Sequence, residues 1–533
     1  MGPYRISGYL KVALLVLFLT LLPLLAMGGE HEGDKRGKPD RVPWTGPVPK
    51  AHCGPHDRTE SGLQGQTTLA ERVSGLSEKG FNCNLELVGE FEGEGASFGF
   101  TWFDYCAYYG TGGGRGAPSP LQQHPGVVVV DASDPRHPQA TAYLDDPAML
   151  EPWESLRVNT KRKLLGGTRG LGLDPVVDRF FAFYDISNCA HPVRLSVADV
   201  PGHIGHEGRF TRDGLTYYGT RAVGPGVTAL DISDPTQPEV LLHTNDYLVH
   251  GLALNKDGTR AYFAQLGSPN SPTLPTPNGL VIVDASDIQF RVPNPQIRTI
   301  STLFWNDGAT AQVPLPVTIH GRPHLIFTDE HGSGGSSAQS NLGKQRACAL
   351  GLPPNGFPRI IDISDERHPK TISKLMLEID DPANCPVILN GPPDIISSSS
   401  HYCNVDHPKN PRIVACTFRE AGLRVFDIRD PFHPREIAYY KPRARRTEVR
   451  PGSVFWGPQY ANGGDRTTDQ TPSDVRFQKH KGELQLWFTS EDNGFQIVKF
   501  TEHIKAIEKD LFDERDGRDR ENSEDSEDSE DSD

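Results

Sequence analysis

Leu280 to Ser286 read LVIVDAS: four apolar residues in a row, an aspartate, then two small residues. A half-exposed strand would carry a polar residue at every second place. An unbroken, largely β-branched run therefore marks a strand buried on both faces. The aspartate ends the run, because its side chain binds nearby backbone amides and opens a turn. The unit recurs as VVVVD ending at Asp131, FAFYD at Asp185, VTALD at Asp231, PRIID at Asp362 and LRVFD at Asp427. Most copies continue to a second aspartate and prolines, as in DASDPRHP, DISDPTQP and DIRDPFHP. Proline fixes φ there and holds the turn. Successive marker aspartates stand 54, 46, 53, 78 and 65 residues apart. A period near fifty with four short strands in each unit is that of a propeller blade.

Working outward, hairpin signals precede the apolar runs, RDG at Asp213-Gly214 and KDG at Asp257-Gly258 among them. Short outer strands such as PEVLLHT and REIAYY follow the turns. Strand counting gives seven blades, hence an all-β, seven-bladed β-propeller over residues 81–500. The seventh blade, with SDVRFQ, LQLWFTS and GFQIVKF, lacks an outer strand of its own. Lys499 stands where the other blades have the marker aspartate. NLELVGEF, from Asn84 to Phe91, is a spare strand that would fill the vacancy, closing the ring and removing a sheet edge. The two longest gaps predict loop insertions, and the Gly-Ser stretch from Gly332 to Ser340 reads as one.

The composition agrees. Of 533 residues, 54 are Gly and 45 are Pro, too many turn formers for a helical bundle or coiled coil. The net charge of −15 argues against a nucleic-acid partner, which requires a basic face. From Asp513 to Asp533 there are twelve acidic and three basic residues, so most of the imbalance sits in a Ser-Glu-Asp tail. With nothing apolar to bury, that tail is expected to be disordered.

At the other end, Arg5 and Lys11 precede the apolar run Val12–Ala26, and Ala26 and Gly28 supply small residues for signal peptidase. Fifteen residues are short for a bilayer span, so the expectation is a signal peptide over 1–28, with an uncleaved anchor as the competing reading. The remaining divisions are a polar linker and N-terminal extension over 29–80, a short helix over 501–512 and the tail over 513–533. The mature chain is expected to be exported, to the periplasm, cell surface or medium, with no membrane span and as a monomer.

Eight cysteines and no CxxC pair fit disulfides in an oxidising compartment rather than a zinc ribbon. Counting does not give their connectivity. Cys403 and Cys416, however, lie symmetrically about the turn HPKNP, so in a regular hairpin they face each other within disulfide range.

On these six units the chain resembles the LVIVD-repeat family, whose name Leu280–Asp284 spell. The resemblance covers roughly Phe81 to Phe500 and implies an exported, bacterial-type β-propeller. It implies little about chemistry, since propellers serve binding and catalysis alike.

The marker aspartates lie on a ring at the blade edges and read as turn caps. His206, His250 and His401 differ. They begin equivalent inner strands of blades three, four and six, and Glu154 holds the matching place in blade two, with Glu207 beside His206. Inner strands begin around one mouth of the central channel, so these side chains should converge there. Three imidazoles with a carboxylate suit Cu, Zn or Fe. His203, His320 and His331 could lie near the same mouth. In repeat shape and histidine placement the chain is also similar to the selenium-binding protein/methanethiol oxidase family, whose channel-facing histidines hold a metal. No GxSxG elbow, P-loop or HExxH occurs. Three readings follow: a scaffold binding a protein or glycan on its loop-rich face, a metal-dependent oxidoreductase, and a Ca-dependent lactonase or esterase using Glu154 and Glu207. The absence of any catalytic motif favours the first.

Overall fold

The computed structural model describes residues 44–112, 123–170, 178–221, 224–335, 341–391, 397–446, 448, 450–453 and 466–512. The expected signal segment, the linker before residue 44, the acidic tail and part of the Gly-Ser insertion lie outside them. Seven antiparallel sheets follow one another as blades. Blade 1 shows the plan: Phe100–Phe103 innermost, then Cys106–Thr111, the marker strand Gly126–Asp131, and Gln139–Leu144 outermost. Blades 2 to 6 repeat it, with innermost strands at Arg157–Asn159, Gly208–Phe210, Val249–Leu254, Ala309–Ile319 and Cys403–Val405.

The unbroken apolar runs are buried as their chemistry requires. In VVVV, Val127 and Val129 pack with Leu165, Ala182 and Tyr184 of blade 2. Val128 and Val130 pack with Trp487, Phe495 and Ile497 of blade 7. Each side of the strand thus joins a different interblade core, and each buried valine contributes about 1.5–3 kcal/mol. At the ends of the six runs, Asp131, Asp185, Asp231, Asp284, Asp362 and Asp427 all accept the backbone N–H two residues on, at 2.7–3.0 Å. They cap turns, as expected.

Ring closure follows the sequence reading. Leu85–Glu90 pairs antiparallel with Gly494–Phe500 as the outer strand of blade 7. An addition not foreseen is Phe81–Cys83, which pairs with Arg435–Lys441 and makes blade 6 five-stranded. The chain therefore passes from the outer edge of blade 6 straight to that of blade 7. Asn84 makes the corner at φ +60°, a conformation asparagine tolerates better than most residues. Its buried amide donates 2.8 Å bonds to the carbonyls of His52 and Ile437. Asn84→Ala should cost about 2–4 kcal/mol through two stranded carbonyls and a strained φ. Asn84→Gly should recover the part due to φ. Urea denaturation of both variants measures the split.

Residues 44–80 are tied to blades 5 and 6 through the bridges of Trp44 with Ser373 and Pro47 with Met376, and the Cys53–Cys83 disulfide. The predicted Cys403–Cys416 disulfide is present across paired strands, with Cys106–Cys189 and Cys348–Cys385 completing four. The two long gaps hold the helix Leu342–Ala349 and the short helix Cys385–Leu389. After Phe500 the chain forms two short helices, Glu502–Ile507 and Lys509–Phe512. Among the described residues, no helix is long and apolar enough to cross a membrane.

Candidate metal centre

Equivalent starts of inner strands do converge. His206 lies two residues before Gly208–Phe210, His250 within Val249–Leu254, and His401 two residues before Cys403–Val405. Glu154 lies three residues before Arg157–Asn159 and is bridged to the neighbouring blade at Glu207. Trp153, just before Glu154, is held at φ +46°, and its ring packs on Phe98 with centroids 4.4 Å apart. Phe98 in turn lies 5.4 Å from the His401 ring. Aromatic faces thus cover this end of the cluster.

Glu154 is the hub. Its Oε2 stands 3.1 Å from His206 Nε2 and 3.6 Å from His250 Nε2, and those two nitrogens are 3.1 Å apart. Its Oε1 stands 3.0 Å from His401 Nε2. All four residues are at most 6% exposed. Yet Glu154 Oε2 and His401 Nε2 make no hydrogen bond to any described residue. Buried polar atoms without partners are costly, so a carboxylate oxygen and an imidazole nitrogen left unpaired beside the His206–His250 contact call for a shared third body. Three ligands at metal–nitrogen or metal–oxygen distances around a tetrahedral ion stand about 3.3 Å apart, close to the spacings of Glu154, His206 and His250. His401 is aimed by its other nitrogen: Nδ1 faces the carbonyl of Pro472, which leaves Nε2 as the lone-pair atom.

The electrostatics suit ligands at His250 and Glu154, whereas a metal at His206 must displace a proton that Glu154 stabilises. Burial holds the His250 ring down at about 4, with Glu154 opposing, which favours the neutral imidazole a metal ligand requires. Burial would raise Glu154, but His250, His206 and His401 outweigh it and keep the carboxyl ionised. His206 is shifted up despite burial, chiefly by Glu154.

Two residues that the sequence did not single out complete the surroundings. Glu330 faces His250 at 3.8 Å through Oε2 and His401 at 3.7 Å through Oε1. Arg419 pairs with Glu330, and its guanidinium stacks over Phe98 at 4.9 Å. Burial would raise Glu330, but Arg419 first, then His331, bring it to about 2. Glu330 comes from the second strand of blade 5, Arg322–His331, whose last residues return to the mouth where inner strands begin.

Glu207 is placed differently from the other four candidates. Its Oε2 bonds Arg157 Nη2 at 3.0 Å and its Oε1 takes the Tyr402 hydroxyl, so both oxygens point away from the imidazoles. Burial lifts its carboxyl to about 7, with Arg157 opposing. His331 adjoins Glu330 and acts on it electrostatically. His203 and His320 lie elsewhere. His203 bonds Thr168 at 3.1 Å and Thr228 at 2.9 Å through its two nitrogens, packed on Phe181. His320 is exposed on the turn between the first two strands of blade 5.

The fold and this cluster define a seven-bladed propeller with a buried histidine–carboxylate group on its channel. No protein-family profile and no curated protein matches the chain. Among solved structures it is similar to Kuenenia stuttgartiensis hydrazine synthase, with 12% identity, 78% of this chain and 96% of that one covered, and TM-score 0.45. It is similar also to a periplasmic gluconolactonase of Pseudomonas aeruginosa, at 12% identity, 74% and 98% coverage and TM-score 0.43. A third is a protein from Lactobacillus plantarum, at 11%, 75% and 100%, with TM-score 0.43. Likeness at this level adds no argument about function, and the LVIVD-repeat resemblance stands on the repeats alone.

Proposed function

We propose that this propeller holds one transition-metal ion on Glu154, His206 and His250, with His401 and Glu330 beside it, and acts as an exported, metal-dependent oxidoreductase. The observation that carries the reading is the buried convergence of Glu154, His206 and His250, whose ligand atoms lie within 4.8 Å of one another, with Glu154 Oε2 left without a hydrogen-bond partner among the described residues. A nitrogen-rich set favours Cu, Fe or Zn. It disfavours Ca, which takes six to eight oxygen ligands, and with it the lactonase reading. When bound, Cu or Fe would supply electron transfer, whereas Zn would supply Lewis acidity. The chain's own contribution is to fix His401 by Pro472, to balance Glu330 with Arg419, and to exclude water with Phe98 and Trp153. Four disulfides support an oxidising, exported setting.

Elemental analysis of protein purified from the exported fraction tests the proposal. About one Cu, Fe or Zn per chain is expected, lost from His206→Ala and His250→Ala variants that keep their β-sheet circular dichroism. A folded, metal-free wild-type protein would favour instead the scaffold that binds a protein or glycan.

A further inference from the structure

Away from the metal centre, a cavity of about 790 Å³ opens where the inner strands of blades 3, 4 and 5 run out. That is the opposite end of the strands: His331 pairs with Ala309 at the metal-centre end of blade 5, whereas the cavity takes Pro314 to Thr318 and Pro323 toward the hairpin turn. The volume is that of a small-molecule site. Its charged lining is basic throughout. Arg209 and Arg212 come from blade 3, Lys256 from blade 4, and Lys409 from the hairpin loop of blade 6. Among the described residues no carboxylate lines it, in a chain whose acidic residues outnumber its basic ones by 69 to 54. The floor and walls are apolar, with Leu315 and Val317 among them.

Four cations around one concave space repel one another, and walls of low dielectric focus their field into it. Neighbouring carboxylates would relieve that repulsion, but Arg212 and Lys409 form no ion pair among the described residues. Arg209 is half-buried, and its Nε donates to the Leu252 carbonyl at 3.2 Å, which fixes the guanidinium at the cavity wall. An arginine so held presents its remaining donors in the planar fork that matches carboxylate, sulfonate or phosphate. The apolar walls suit the other end of such a molecule.

We propose that this cavity binds a small amphipathic organic anion, its acidic head on Arg209, Arg212 and Lys409 and its apolar body against Leu315 and Val317. The proposal does not rest on the metal reading, since none of these residues belongs to the cluster of Glu154, His206 and His250.

The test is a fluorescence titration with 1-anilinonaphthalene-8-sulfonate, with the uncharged N-phenyl-1-naphthylamine as its control. One saturable site per chain is expected for the sulfonate, with the uncharged probe at least tenfold weaker. Binding should also fall severalfold between 50 mM and 500 mM NaCl. The double variant Arg212→Glu/Lys409→Glu should weaken the sulfonate at least tenfold and leave the uncharged probe within twofold. Equal binding of the two probes by the wild type, or sulfonate binding indifferent to both salt and the double variant, would overturn the proposal. The wild-type comparison and the salt series hold even if the variant folds poorly. Repeating the titration on chelator-treated protein separates the two sites, because loss of metal should leave sulfonate binding unchanged.

Discussion

Replacing Arg424 by methionine is expected to remove about 3–5 kcal/mol of stability, measured as a lowered urea midpoint at pH 7. Arg424 is wholly buried on blade 6 and grips two carboxylates. Its Nη1 and Nη2 reach the two oxygens of Glu60 at 3.1 and 2.8 Å, and Nη1 also meets Glu436 at 3.0 Å. The guanidinium lies over the Tyr439 ring at 4.4 Å. Methionine would fill most of the volume but leave two buried carboxylates facing each other, and Lys441, 3.6 Å from Glu60, would offset only part of their charge. A buried charge stripped of its partner is far more costly than a pair absent from the start.

The pH dependence of that loss follows from the two acids. Burial alone would raise Glu60, but Arg424 and then Lys441 hold it below the usual value. It therefore contributes stability above its unfolded pKa, lost as pH falls through the folded one. Glu436 stays raised by burial, with Arg424 only partly offsetting it, and so opposes folding as pH rises. In the methionine variant both acids lie above their unfolded values. The gap between variant and wild type should therefore narrow steadily from pH 7 to pH 4.5. A gap that stays constant over that range would show that the two carboxylates are not its source. The contact also explains why residues 44–80 are more than a connector, since Glu60 brings that stretch into the core of blade 6.

The blades were legible in the sequence because each one writes the same strand, turn and proline pattern, and repetition turns a weak local signal into a strong one. Phe81–Cys83 escaped because three residues, FNC, carry no periodicity. Its place is set by the Cys53–Cys83 link and by the free edge it covers. The same contrast governs the metal centre. His206, His250, His401 and Glu154 could be found because equivalent positions in a ring of blades meet near the axis. Glu330 could not, since it lies on a second strand rather than an inner one, and Arg419 could not, since it lies on a turn.

Alternation along extended chain sorts the rest. In blade 5, Asp329 points into the sheet to Arg359 at 2.6 Å, so its neighbour Glu330 points the other way, to the imidazoles. His206 and His401 face the cluster, so Glu207 and Tyr402 face away from it and bond each other. Adjacency in sequence drew Glu207 into the candidate set, and the two-residue period of extended chain takes it out of the first layer.

That sorting makes a sharp prediction. Glu154→Gln should weaken transition-metal binding by more than about 100-fold, whereas Glu207→Gln should weaken it by about 10- to 100-fold, the range of an outer-layer group. Glutamine keeps the volume of either side chain, so neither change opens a cavity. At residue 154 it removes the carboxylate whose oxygens meet all three imidazoles, at 3.0–3.6 Å. At residue 207 it removes the charge paired with Arg157 and leaves the imidazoles untouched. Competition against a chromophoric chelator gives both affinities, and the metal-free melting temperatures check that each variant folds. The order of the two effects is the discriminating result. A Glu207 variant that loses more metal than the Glu154 variant would place the ion beneath the imidazoles, on the Arg157 and Tyr402 layer. If both bound as tightly as wild type, Glu154 would be a hydrogen-bonding partner of the histidines and not a ligand.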